Sequence, residues 1–328
     1  MEPESFPCLP ALVAHADWSI HPRKRWIARA TLCDGVYTAS APEQVAFADT
    51  LLADLQADAP GRGPILVGFD FPIGLPAAYA RQAGISDFLR WLPQMGSGLW
   101  KDFARVARLP HEISVFRPFY PNAPGGTSHR HLLDALAVGT FDELRRVCEQ
   151  RHALAKDASP LFWTMGPNQV GKAALSGWRE ILVPGLRDTA VDVAIWPFDG
   201  TLPSLLAGRH VVVVETYPGE MYHHIGVAWP LLPGESKSGK GSQIARRRNA
   251  LALHTWAQGN RVHLQPALVA AIDDGFGSQA NDEDQFDAII GLFGMLNVLL
   301  GNRSHVTPDN DMIQCVEGWI FGRAVSIA

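Results

Sequence analysis

Two apolar runs that each end in an aspartate constrain this chain more than any other feature. Leu12–Asp17 (LVAHAD) and Pro64–Asp70 (PILVGFD) are short and bounded by turn-forming residues, the pattern of buried strands. Between them, Lys24–Leu32 alternates apolar and polar residues, with Trp26, Ala28 and Ala30 on one side, which predicts a half-buried strand. Asp34-Gly35 is a hairpin signal, with Val36–Ala39 as the return strand. Pro42–Ala57 has helical spacing at Val45, Phe47, Ala48, Leu51, Leu52 and Leu55, with Pro42 suited to a first turn, and Ala59–Gly63 is a loop. The order is strand, strand, strand, helix, strand. A strand that follows a helical crossover tends to pair parallel to an earlier one. Asp17 and Asp70 then point the same way and meet at the carboxyl edge of a sheet, where open α/β sheets place their sites.

Sheet structure is expected to resume at Val191–Trp196 and at His210–Glu215 (HVVVVE), a third apolar run ending in an acid. The stretch 77–190 reads as a helical insertion or cap. Helical patterns occupy Leu75–Ala83, Phe141–Leu154 and Lys172–Leu182, broken by turn clusters such as Pro121–Gly126. Gln243–Thr255 is predicted to be one helix. So is Asp282–Leu300, with Phe286, Ile289, Ile290, Phe293 and Leu296 on one face. At 328 residues, the chain suits two domains or one enlarged by an insertion. The second arrangement fits these patterns: one α/β domain over 1–328 with a mixed sheet flanked by helices.

Composition narrows the function classes. Apolar residues are 47% of the chain and charged residues 19%, against an average of about 25% charged, so a large core is expected and disorder is not. The net charge of −5 argues against a basic wrapper of nucleic acid, though not against local basic patches. Cys8, Cys33, Cys148 and Cys315 lie far apart, without metal-ligand or redox spacing. The most apolar run, Ala288–Gly301, is too short to span a bilayer. The opening MEPESFPCLP is acidic and proline-broken, the opposite of a signal peptide. A soluble, cytoplasmic protein with no membrane partner is the expectation.

The candidate chemistry lies in acids at element ends: Asp17, Asp70, Glu215, Asp284 and Asp287. One acid after a strand is ordinary, but three apolar strands that all end in one form a pattern. Asp284 and Asp287, three apart, share neighbouring surface of one helix. Gly291 and Gly294 continue on the Asp287 side and would let that helix approach a sheet closely. Gathered carboxylates repel unless a cation joins them. Mg²⁺ or Mn²⁺ suits such oxygen donors, and two ions can clamp the attacking and leaving oxygens of a phosphodiester. First-turn acids favoured by the helix dipole explain Asp282 and Glu283 equally well, but explain Asp287 poorly. In GFDFPIGLP (Gly68–Pro76), Pro72 forces the chain out of the sheet just after Asp70.

GESKSGKG (Gly234–Gly241) nearly matches a phosphate-binding loop. It lacks the hydroxyl at Gly241, has Ser242 one place late, and no clear strand precedes it. Lys237, Lys240, Arg246, Arg247 and Arg248 form a basic cluster that could contact the phosphates of a nucleic-acid substrate, or simply be a solvated helix face. His223 and His224 are adjacent, so they diverge on a helix and suit joint metal ligation badly.

These segments resemble a known family, domain-of-unknown-function family 429, described as predicted RNase H-like nucleases. The resemblance runs over most of the chain. It rests on LVAHADWS (Leu12–Ser19), GFDFPIGLP, SVFRP (Ser114–Pro118), NQVGKAAL (Asn168–Leu175), ETYP (Glu215–Pro218), Lys237–Leu251 and EDQFDAIIG (Glu283–Gly291). The D-x-x-D-A at Asp284–Ala288 also resembles the final helix of Holliday-junction resolvases of that superfamily. The resemblance implies an RNase H-like fold, metal-dependent phosphodiester hydrolysis, and Asp17, Asp70, Asp284 and Asp287 as metal ligands. Glu215 fits the family motif but not the superfamily's minimal acid set. Many family members have a glycine-rich turn after the first aspartate, where Trp18 and Ser19 stand here. Two alternatives remain. Actin-like ATPases and sugar kinases, which are phosphotransferases, begin with the same strand order but need two such domains and glycine-rich phosphate loops. A non-catalytic binding protein could also keep this fold.

Overall fold

The computed structural model describes residues 8–151, 157–165, 170–208, 211–232, 239–279 and 281–325. The expected strands form as β1 (Leu12–Asp17), β2 (Trp26–Cys33), β3 (Val36–Ala39), β4 (Glu43–Gln44), β5 (Ile65–Phe69), β6 (Val193–Ile195), β7 (Val211–Glu215) and β8 (His263–Leu264). They build one mixed sheet in the order β6-β7-β5-β1-β2-β3-β8, with β4 paired to β2. β1, β2 and β3 run antiparallel, while β5 lies parallel to β1 and β7 parallel to β5. This is an α/β fold with the mixed sheet and flanking helices of RNase H-like architecture. The β2–β3 turn works because Asp34 and Gly35 both hold positive φ, 50° and 79°, as a two-residue hairpin with right-handed twist requires.

Strand alternation sorts the side chains into two cores. Leu12, Ala14, Ala16, Ile65, Val67, Phe69, Val211 and Val213 face a core shared with helix Leu51–Asp58 and the segment between β5 and β6. Val13, Leu66, Val212 and Val214 face the other core, built around the long helix Asp282–Leu299. The segment between β5 and β6 is the expected insertion. It consists of short α and 3-10 turns around interlocked aromatic rings such as Trp91, Phe103 and Trp178. Trp178 is fully buried, and its indole N–H donates to Pro72 O at 2.7 Å, which ties the insertion to the exit from β5.

Several expectations change in detail. Only Leu51–Asp58 of 42–57 is helical. Glu43 and Gln44 instead take backbone partners on β2, tertiary pairing overriding a weak local pattern, and Phe47 is 69% exposed rather than buried with that pattern. The segment 243–255 breaks into Gln243–Arg248 and Ala250–Gly259. At the break, the Asn249 side chain donates to the carbonyls of Ala228 and Ala245 and accepts from Ala228 N. Residues 141–150 form 3-10 turns rather than a helix, and 152–154 lie outside the described residues, as does His210 at the expected start of β7. The long helix is buried on all sides from Phe286 to Leu299, not on one face. It has the sheet on one side and helix Pro218–Ile225 on another. Among the described residues, no helix is long and apolar enough to cross a membrane.

Candidate functional site

Asp17 ends β1, and Asp70 follows the last residue of β5. In the parallel register Ala16 lies beside Phe69, so Asp17 and Asp70 are neighbours on the face that carries Val13 and Leu66. That face meets the long helix, whose first turns bear Asp284 and Asp287. The helix comes close because there is no side chain at the crossing. A Cβ on Gly291 would lie 2.1 Å from His15 Cε1, and one on Gly68 would lie 2.5 Å from Met295 Sδ. Gly294 serves a different contact from the one expected, since it admits Met221 of helix Pro218–Ile225. His15 locks the crossing. Its Nδ1–H donates to Ala288 O at 3.1 Å, and its Nε2 accepts from the Thr216 hydroxyl at 2.8 Å. Full burial depresses its pKa to about 3, so the ring is neutral.

The four aspartates are close enough to shift one another. Asp17 is 8% exposed and Asp287 4%. Burial, then the charges of Asp70, Asp287 and Asp284, push the Asp17 carboxyl well above the usual range, against the pull of Lys240. Burial raises Asp70 to about 6, opposed by the Trp18 N–H, which donates to its Oδ1 at 2.6 Å, and by a hydrogen bond with the Asp17 carboxyl. Burial also raises Asp284 to about 6, with Lys24 opposing. Asp287 is raised by burial and held back by two donors, since Lys240 Nζ donates to its Oδ2 and the Tyr222 hydroxyl to its Oδ1. Such carboxyls have the chemistry of a hard-cation site, and Asp284 Oδ2 is buried without a hydrogen-bond partner. The donor set therefore fits Mg²⁺ or Mn²⁺. The side-chain geometry stops short of ligation: among the described residues, no group of three or more His, Cys, Asp or Glu side chains is arranged to hold a metal ion.

Glu215 does not join these acids. In the β5–β7 register it lies beside Phe69, one residue short of Asp70, and so faces the opposite core. Both of its oxygens are taken by Arg146, at 2.6 and 2.7 Å, and the Ile73 N–H donates to Oε2 at 2.6 Å. Arg146 is fully buried and also pairs with Glu149 at 2.8 Å. The expected catalytic Glu215 is instead half of a buried ion pair fastening the insertion to β7.

The basic cluster divides in the same way. Lys240 reaches into the acids, while Arg246, expected on a phosphate-binding surface, is 2% exposed. Its guanidinium donates to the carbonyls of Gly275 at 2.8 Å, Gly277 at 2.7 Å and Lys240. Only Arg247 and Arg248 of the run are on the surface. Lys237 lies outside the described residues, as does most of the near-match to a phosphate loop. Ser242 caps helix Gln243–Arg248 by accepting from Ala245 N at 3.3 Å.

Sequence reasoning missed His15, Tyr222 and Arg25. Arg25 lies over the Trp18 ring at 4.3 Å and pairs with Glu180 at 2.7 Å, and it donates to Ser176 Oγ, which also accepts from the Trp18 indole. Trp18 and Ser19, which stand where a glycine-rich turn was expected, are thus clamped to the insertion. Comparison with protein-family models, curated proteins and solved structures finds no match to this chain.

Proposed function

We propose that this protein is a metal-dependent nuclease of the RNase H-like kind, acting in the cytoplasm, in keeping with its sequence resemblance to domain-of-unknown-function family 429. The observation that carries the reading is the meeting of Asp17 and Asp70 at the adjoining ends of two parallel strands, opposite Asp284 and Asp287 on the helix that crosses them. Asp17, Asp70, Asp284 and Asp287 would hold Mg²⁺ or Mn²⁺. When bound, the cation would offset the charge that builds on a phosphodiester during hydrolysis. Tyr222 orients Asp287 through its hydroxyl, and His15 fixes the helix relative to β1. Arg247 and Arg248 on the neighbouring surface would attract the phosphate backbone of a nucleic acid.

The position of Lys240 on Asp287 favours a second reading, a non-catalytic binding protein in which the aspartates are neutralised from within. The kinase-like reading needs two domains of this kind, and the described residues form a single sheet. The deciding experiment is a hydrolysis panel with Mg²⁺ and Mn²⁺ on single-stranded, double-stranded, hybrid and branched substrates, with Asp17→Asn alongside. Cleavage by the parent, lost in the variant, is the expected result. No cleavage of any substrate with either ion would favour the second reading.

A further inference from the structure

The four aspartates are not treated alike. Asp287 already has a donor on each oxygen, Lys240 on Oδ2 and Tyr222 on Oδ1. Asp284 Oδ2 is buried with no partner, and Asp17 and Asp70 face each other at the strand ends. Half of the site therefore carries its own positive charge, and the other half does not. The charged half is also anchored. Buried Arg246 holds the carbonyl of Lys240 together with those of Gly275 and Gly277. A lysine on an exposed turn samples many rotamers, whereas this one starts from a fixed backbone and ends on a buried carboxylate.

We propose that the Lys240 ammonium stands in for one of the two cations that a paired-carboxylate site can hold, so that the protein binds a single divalent ion. That ion would sit among Asp17, Asp70 and Asp284, while Lys240 neutralises Asp287. The inference rests on the metal-dependent reading above and adds the stoichiometry and the residue that sets it. The physical basis is charge. Two divalent ions a few ångströms apart need several carboxylates between them, and a cationic side chain on one of those carboxylates repels a second ion while reducing the charge that would draw it in. Lys240 is then a positioning residue that limits occupancy, and Arg246 positions Lys240.

The test is a Mn²⁺ titration of the whole protein, read as free Mn²⁺ by electron paramagnetic resonance and as heat by calorimetry, with no activity measurement. Lys240→Met keeps the length and removes the charge, and Lys240→Arg keeps the charge. The side chain of Lys240 is 45% exposed, so both variants are expected to fold, and circular dichroism checks that. The expected result is one Mn²⁺ bound per parent chain, two per Lys240→Met chain, and one per Lys240→Arg chain. Two ions bound by the parent would overturn the inference. So would one ion bound by both the parent and Lys240→Met, which would leave the metal-dependent reading intact. No binding by any of the three would overturn the inference and that reading together.

Discussion

Replacing Asp70 by asparagine should stabilise the metal-free protein at neutral pH and do nothing in acid. Each tenfold change in proton affinity corresponds to about 1.4 kcal/mol. Holding the Asp70 carboxyl at about 6 rather than 3.8 thus costs the ionised fold about 3 kcal/mol. Asp70 is partly open to solvent, and water screens charge there, so about 2 kcal/mol is the share to expect in measurement. The sign follows from linkage: a folded-state value raised above the unfolded one means that the native protein holds the proton more tightly. Stability from this group is therefore greatest in acid, falls as pH rises from about 4 through about 6, and is level above that. The amide introduced by Asp70→Asn has no proton to lose at these pH values, and its carbonyl can still accept from the Trp18 N–H. Urea denaturation of both proteins in chelator, at steps from about pH 4 to about pH 7.5, gives the difference directly. The curves should coincide at the acid end and separate by about 2 kcal/mol at the neutral end, with the variant the more stable. A difference that does not change with pH, or a variant less stable at neutral pH, would refute the argument that the site holds crowded, uncompensated carboxylates.

Three further outcomes follow from the same contacts. Glu215→Gln leaves buried Arg146 with Glu149 as its remaining carboxylate partner, and should cost about 3 kcal/mol in a denaturant melt without changing Mg²⁺ affinity, because Glu215 lies on the other face of the sheet. Gly291→Ala drives a methyl into the His15 ring, which two hydrogen bonds hold in place. It should cost at least about 3 kcal/mol and weaken metal binding through displacement of Asp284 and Asp287, both read by calorimetry. Neutralising Arg247 and Arg248 together should lower the salt dependence of nucleic-acid affinity by about one per lost phosphate contact. An unchanged slope in a binding titration would make them an ordinary solvated face.

The sheet was legible because its strands carry local signals. Both apolar runs ending in aspartate, the Asp34-Gly35 turn and the helical crossover could each be read without a partner. Asp17 and Asp70 became neighbours from strand order alone. Glu215 could not be separated from them by its residue type. Its side depends on the register with β5, and a one-residue offset sends a side chain to the opposite core. Arg246 was hidden for a related reason: a run of three arginines reads as exposed, and only the carbonyls of Gly275 and Gly277, some 30 residues on, give one of them a reason to be buried. His15 and Tyr222 carried no signal, since each depends on what the long helix brings to it. The all-round burial of that helix was partly visible in its unbroken apolar run from Ala288, which one-face periodicity understated.

The central claim is that Asp17 belongs to a cation site maintained at an electrostatic cost. Thermal melts of the parent and Asp17→Asn, each with and without Mg²⁺, test it most directly. Without metal the variant should be as stable as the parent or more so, because it removes one of several mutually repelling, buried carboxyls. On addition of Mg²⁺ the parent should gain stability and the variant should gain little. A structural aspartate would behave in the opposite way, with asparagine costing about 1–3 kcal/mol through lost buried hydrogen bonds. A variant that is clearly less stable without metal, yet gains as much from Mg²⁺ as the parent, would contradict the account.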